Sequence, residues 1–187
     1  MKFLLFLLPL FGFADSSWLK EHIQVIPDYP KPGIQFQWIG PLLRNPDAFD
    51  RAVREFVFRY RDLQVDAILG LEARGFIFGA AVAQWLKVPF IPVRKAGKLP
   101  VPSLKACYEK EYGPDCLEIE IGALSPGAQV VIVDDLIATG GTALAACELA
   151  EKSGARVLEV ACLIELPFLK AREKLPCPLF TILQVND

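Results

Sequence analysis

The sequence is poor in the residues that most often mark metal and catalytic centres. His22 is its only histidine, so neither a histidine-based triad nor a histidine-rich metal cluster is expected, and His22 itself has no catalytic role. The five cysteines, Cys107, Cys116, Cys147, Cys162 and Cys177, are odd in number and include no CxxC pair. They predict neither a disulfide framework nor a zinc site, and the pattern fits a reducing compartment. Cys147 and Cys162 fall within apolar runs, where cysteine behaves as a small buried hydrophobe. Excess charge is lacking too: a formal net charge of -2 leaves no basic footprint for nucleic acid. The chain has no GxxxxGK[ST] and no GxGxxG following a strand, which excludes an ATP-binding P-loop and a dinucleotide fingerprint. Internal repeats, low-complexity tracts and interdomain linkers are absent as well. With 187 residues, 53% of them hydrophobic, one domain with a sizeable core is expected.

What is present is concentrated in residues 130–142, VVIVDDLIATGGT. Val130, Val131, Ile132 and Val133 form the β-branched run of a parallel strand buried on both faces. Asp134 and Asp135 follow at its carboxyl end, where an open α/β sheet binds ligands. Two carboxylates there can accept hydrogen bonds from the vicinal hydroxyls of a ribose. Ala138, Thr139, Gly140, Gly141 and Thr142 then lead into good helix formers at 143–152. Backbone N–H groups at a helix N-terminus favour a phosphate dianion, and glycine lets the backbone approach it closely. Acids preceding a phosphate loop suit a ribose 5-phosphate lying across the strand end.

The remaining pattern alternates as a parallel α/β sheet requires. Helices are expected at 17–24, 47–61, 76–86 and, shorter, 168–174. Strands are expected at 67–71, 89–93, 117–121, 156–164 and 179–185. The proline-rich segment 26–33 reads as loop. Segment 95–113 mixes glycine, proline and charge without a clear period and reads largely as a mobile loop, with short strands at its edges.

The 130–142 segment resembles the phosphoribosyl pyrophosphate (PRPP) motif of type I phosphoribosyltransferases. Four further segments resemble the adenine phosphoribosyltransferase family: LGLEARGFIFGAAVA at 69–83, VRKAGKLP at 93–100, YEKEYG at 108–113 and IELPFLKAREKL at 164–175. They run in matching order from about residue 26 to the C-terminus. The resemblance implies a type I phosphoribosyltransferase fold, α/β, with a mostly parallel central sheet flanked by helices and a small N-terminal hood. The implied reaction is adenine plus PRPP to AMP plus pyrophosphate, with Mg²⁺ bound mainly through PRPP rather than by protein ligands.

Residue roles follow from the same resemblance. Arg74, Arg94, Lys95 and Lys98 offer the cations that pyrophosphate needs, where arginine's planar fork suits phosphate oxygens and lysine acts as a point charge, and the resemblance implies that Arg74 binds pyrophosphate. A cis peptide is implied between Glu72 and Ala73. Arg94 and Lys98 reach the neighbouring subunit's site, which implies a homodimer. Glu111 manages protons on adenine as N9 attacks, and Tyr112 closes over the site. Residues 33–43, GIQFQWIGPLL, match the hood that reads adenine through Gln35, Phe36 and Gln37, with Leu166 as a further base contact. Here the chain departs from the family. An acid, then Ser or Thr before the proline, is usual where Trp38 and Gly40 stand, so an acceptor is lost and extra volume must be housed.

The N-terminus points elsewhere. Residues 1–14 combine Lys2, an apolar run from Phe3 to Phe13 and a small-x-small pattern at Gly12 to Ala14, which reads as a signal peptide or an apolar extension ahead of a domain at 15–187. The run is too short to span a membrane as a helix. A start placed too far upstream would need a non-Met codon, because Met1 is the only methionine. PRPP is a cytosolic metabolite, so a cytoplasmic enzyme is expected, with no membrane or nucleic-acid partner. The competing readings are a phosphoribosyltransferase for another base, a PRPP-sensing module without catalysis, and a degenerate exported paralogue.

Overall fold

A computed structural model describes residues 16–110 and 113–186. Its core grows from the β-branched runs. Strand β3 (Ala67–Leu71) is buried at every position, and it lies between β4 (Phe90–Lys95) and β7 (Gln129–Ile137), parallel to both. Strands β8 (Arg156–Glu165) and β9 (Leu179–Gln184) extend the parallel sheet beyond β7. On the other side β4 pairs antiparallel with β6 (Gly113–Glu120), and β6 with β5 (Ser103–Lys110). The sheet thus has seven strands in the order β5-β6-β4-β3-β7-β8-β9.

Alternation along the strands splits the core into two layers. Val130, Ile132 and Leu69 pack on one face beneath α5 (Gly141–Lys152), whose Ala143, Ala146, Cys147 and Leu149 are buried. Val131, Val133 and Ile68 pack on the other against α3 (Pro46–Tyr60) and α4 (Gly75–Leu86). Asn45 caps α3 by accepting the Ala48 N–H at 3.1 Å, and Pro46 occupies the first turn, where its missing donor costs nothing. The end of α3 is tied to the sheet by Glu159, 3% exposed, which accepts from Arg59 at 2.9 and 3.0 Å and from the Tyr60 hydroxyl at 2.9 Å. Burial followed by the neighbouring Glu159 charge pushes the Tyr60 phenol well above its ordinary range.

Several expectations are corrected. The helix expected at 17–24 is a single turn, α1 (Ser17–Lys20), and Gln24 already belongs to β1 (Gln24–Pro27). Strand β1 pairs antiparallel with β2 (Gln35–Trp38) to make a separate two-stranded hood, followed by the short α2 (Gly40–Leu43). Segment 95–113 contains the eight-residue strand β5, paired with β6 along its whole length. Strand β6 therefore starts four residues before the expected 117. The helix expected at 168–174 is two 3-10 turns, Pro167–Leu169 and Ala171–Glu173, divided by Lys170 at φ 55°. A left-handed residue ends a right-handed helix.

The cysteine reading also changes. Cys107 and Cys116 face each other across the β5–β6 ladder, with Cα atoms 4.1 Å apart, and are joined by a disulfide. Their spacing becomes meaningful only once the antiparallel register is known. Cys147 and Cys162 are buried free thiols as expected.

Candidate active site

The site is assembled where the carboxyl ends of β3, β4 and β7 meet the start of α5 and the hood. Asp134 and Asp135 lie within β7 itself, two residues before its end. Asp135 is 4% exposed, and the Asp134 carboxylate accepts the Asp135 N–H at 2.8 Å. Burial, then the adjacent Asp135 charge, pushes the Asp134 carboxyl well above the ordinary aspartate range. Burial also raises Asp135, against the opposing pull of the Arg74 cation.

Arg74 immediately precedes α4 and links three parts of the site. Its Nε lies 3.0 Å from Asp135 Oδ2, and its guanidinium carbon sits 5.3 Å from the centre of the Phe36 ring. Among the described residues, Arg74 Nη1 and Asp135 Oδ2 are nevertheless buried without a well-directed hydrogen bond. Buried polar atoms in folded proteins are almost always satisfied, so such a pair marks a place where a bound molecule completes the bonding. The implied cis peptide at Glu72-Ala73 is present just upstream.

The phosphate-type loop follows β7. Gly140 adopts φ 83° as the residue before α5, a conformation glycine enters without penalty. Gly141 and Thr142 then open the helix, so the first N–H groups of a twelve-residue helix point at the loop. Thr139 is held by Lys174, whose Nζ donates to its carbonyl at 3.1 Å. Ala138 lies between β7 and this turn.

Two of the cations expected for pyrophosphate, Arg94 and Lys98, gather around an acid that sequence reasoning did not single out. Glu72 accepts from Lys98 Nζ at 2.6 Å, the Lys95 N–H at 3.0 Å and Arg94 Nε at 3.2 Å. Burial alone would raise the Glu72 carboxyl, but these three donors outweigh it and hold the pKa at about 2. Glu118, 2% exposed, performs a similar service for the backbone. It accepts the N–H groups of Lys98 and Leu99, each at 2.8 Å, and the Ser103 hydroxyl at 3.1 Å. The Lys95 side chain turns away from Glu72, its Nζ lying 3.9 Å from Asp115. In sequence, Glu72 and Glu118 look like ordinary acids near strand ends, and nothing local distinguishes them.

In the hood, Phe36 lies between Tyr29, edge-on with ring centres 5.1 Å apart, and Trp38, stacked at 6.4 Å. Gln35 is exposed, whereas Gln37 is buried and donates from Nε2 to the Gln35 carbonyl at 3.1 Å. The two departures from the family prove to be one. A Cβ on residue 40 would lie 2.5 Å from Trp38 Cε2 and 2.7 Å from Cζ2, so the indole occupies space that only Gly40 leaves. Leu166 follows β8 and donates its N–H to the Ile137 carbonyl at 3.1 Å, which places it beside the end of β7. Glu111 and Tyr112 lie outside the described residues, between β5 and β6, as do residues 1–15.

Comparison with known proteins agrees with this arrangement. The phosphoribosyl transferase domain model matches residues 41–180. An adenine phosphoribosyltransferase of Acidovorax sp. (strain JS42) is 47% identical over 180 residues, covering 94% of this chain and 98% of the relative. The crystal structure of the Saccharomyces cerevisiae adenine phosphoribosyltransferase, complexed with an imino-altritol bisphosphate and adenine, superposes with a TM-score of 0.87 at 46% identity, covering 90% of this chain and 98% of that one. The corresponding enzyme of Thermoanaerobacter pseudethanolicus gives a TM-score of 0.88 at 43% identity, over 91% and 99%. The chain belongs to the adenine phosphoribosyltransferase family of the phosphoribosyltransferases.

Proposed function

We propose that this chain transfers the phosphoribosyl group of PRPP to adenine, releasing AMP and pyrophosphate in purine salvage. The observation that carries the reading is the convergence of Asp134 and Asp135, the 138–142 loop and the Arg74 guanidinium at the carboxyl end of the central strands, beneath Phe36. In this reading Asp134 and Asp135 accept hydrogen bonds from the ribose hydroxyls. Ala138, Thr139, Gly140, Gly141 and Thr142 hold the 5-phosphate through backbone N–H groups and hydroxyls. Arg74, Arg94, Lys95 and Lys98 receive pyrophosphate, and Gln35, Phe36, Gln37 and Leu166 frame the base.

The reaction forms a bond from adenine N9 to the anomeric carbon as the bond from that carbon to pyrophosphate breaks. The electron pair leaves with pyrophosphate, and the N9 proton passes to the Glu111 carboxylate, while Tyr112 helps exclude water. The protein's work is to hold the leaving group in an array of cations and to aim the base from the opposite side. A bound Mg²⁺ would neutralise pyrophosphate charge and improve it as a leaving group. The residues fit an ion carried mainly by substrate oxygens. Asp135 Oδ2 retains bonding capacity.

A homodimer belongs to the same reading, with Arg94 and Lys98 exchanging their contact with Glu72 for the site across the interface. Light scattering of the purified chain checks the stoichiometry. The cytoplasm is the compartment in which the donor exists, and fractionation of cells producing the full chain tests it; an intact, cell-associated N-terminus is expected.

The deciding experiment offers adenine, hypoxanthine, guanine and xanthine separately to the full chain with PRPP and Mg²⁺. AMP formed with clear preference for adenine is expected. Measurable PRPP binding with no product from any base would replace the enzyme with a sensing module.

A further inference from the structure

Tyr108 of the β5–β6 hairpin touches the phosphate-type loop. Tyr108 stands on β5 directly opposite Asp115 on β6. Its hydroxyl oxygen accepts from Thr142 Oγ1 at 2.9 Å, and its proton is donated to Asp115 Oδ2 at 3.3 Å. The ring covers Gly141, where a Cβ would come within 3.0 Å of Tyr108 Cδ2. Asp115 in turn faces Lys95 Nζ at 3.9 Å. A line of contacts therefore runs from the loop assigned to the 5-phosphate, through Tyr108, to the strand carrying the pyrophosphate cations. Tyr108 also lies three residues along the chain from Glu111.

Hydroxyl arithmetic makes this line directional. Thr142 and Tyr108 each have one proton to donate and lone pairs to accept. A 5-phosphate is an acceptor only, so when it binds, the Thr142 proton turns toward it and is no longer donated to Tyr108. Thr142 Oγ1 then becomes the acceptor, and the Tyr108 proton swings to it from Asp115. Donation to an anion polarises Thr142 and makes its oxygen a better acceptor, so the reversed bond is the stronger one. We propose that Tyr108 is a positioning residue that couples occupancy of the 5-phosphate loop to firmer seating of the β5–β6 hairpin. The inference rests on the assignment of residues 138–142 to the 5-phosphate.

The test uses the full chain and ribose 5-phosphate as probe, with trypsin cleavage after Lys110 reporting on the hairpin. Digests are resolved under reducing conditions, because Cys107–Cys116 would otherwise hold the fragments together. The wild-type chain is expected to be cleaved about twofold to fivefold more slowly when ribose 5-phosphate is bound, the scale of strengthening one existing hydrogen bond through a charged partner rather than adding one. Tyr108→Phe keeps the ring over Gly141 and removes only the hydroxyl. It is expected to bind ribose 5-phosphate within about threefold of wild type while losing the slowing of cleavage, and to lower kcat with little change in KM for PRPP. Ligand-dependent protection of Tyr108→Phe equal to wild type would overturn the coupling while leaving the loop assignment intact. Failure of the wild-type chain to bind ribose 5-phosphate would remove the loop assignment and the coupling with it.

Discussion

Gly40→Ser restores a hydroxyl residue at a position where the family usually carries one, yet it is expected to destabilise this protein. The added Cβ would lie 2.5 Å from Trp38 Cε2, well inside van der Waals contact, so the indole must leave. Trp38 is 39% exposed and has room to swing outward, at the loss of its stacking on Phe36. Overpacking costs about 1–3 kcal/mol, and an aromatic pair contributes about 0.5–1.5 kcal/mol beyond its burial. A loss of about 2 kcal/mol corresponds to a fall in Tm of about 4–8 °C for a chain of this size. The cause is tested by repeating the change on Trp38→Ala. With the indole gone, Gly40→Ser is expected to be neutral within about 0.5 kcal/mol, giving a coupling well above the additivity error. Thermal unfolding of the four proteins measures this, and adenine KM reports whether the displaced indole disturbs Phe36. Equal Tm losses in both backgrounds would refute the interlock.

Further outcomes can be checked on the same material. Glu111→Ala is expected to lower kcat more than it weakens PRPP binding, and single-turnover kinetics with normal chemistry would end its assignment as the proton acceptor. Asp135→Asn keeps the shape but removes the charge facing Arg74, so PRPP binding measured by calorimetry is expected to weaken; unchanged affinity would remove its ribose role. Opening the Cys107–Cys116 bridge with a dithiol, or by Cys107→Ser with Cys116→Ser, removes a nine-residue cross-link worth about 2.5 kcal/mol on chain-entropy grounds. Amide exchange is expected to quicken in β5 and β6 while β3 and β7 hold, and uniform exchange behaviour would show that the bridge does not stabilise the hairpin. Glu72 titrates near pH 2 in the folded protein against an ordinary 4.5. Because the folded value is the lower one, its stabilisation is fully present above pH 4.5 and fades as pH falls from there through 2. Glu72→Gln is expected to flatten that part of the acid-unfolding curve, and an unaltered curve would mean the three donors contribute no linkage.

How much of this was legible in the sequence depended on how local the signal is. The interior strands β3 and β7 and helix α3 announce themselves through continuous β-branched runs and a helical apolar period, and the structure follows those expectations within a residue or two, except that β7 runs on through Asp134 and Asp135. The aspartates and the glycine loop were readable because β7, the turn and α5 are consecutive in the chain. The hood was expected but its strands were not, because β1 is short and mostly exposed, so it exists through its pairing with β2 rather than through its own pattern. Strand β5 hid for a related reason: Leu104, Ala106 and Tyr108 alternate with Lys105 and Cys107, but the run is short, and its pairing with β6 is what fixes it. Glu72, Glu118 and Tyr108 escaped notice because their importance lies in what they face. No spacing along the chain shows that three donors from residues 94–98 converge on Glu72, or that Tyr108 reaches Thr142.

The cluster around Glu72 means that the cations of this site are never bare. Before any donor substrate arrives, Arg94 and Lys98 already have a counterion, so under the proposed function capturing pyrophosphate is an ion exchange rather than a simple neutralisation. The affinity measured for a ligand is then the difference between what its oxygens offer these side chains and what a desolvated carboxylate already gives them. A single phosphate competes poorly on those terms, whereas a diphosphate can address several cations at once. In the proposed reading the resident acid is thereby a threshold that filters ligands by charge and reach, and the partner to which the array returns when pyrophosphate departs.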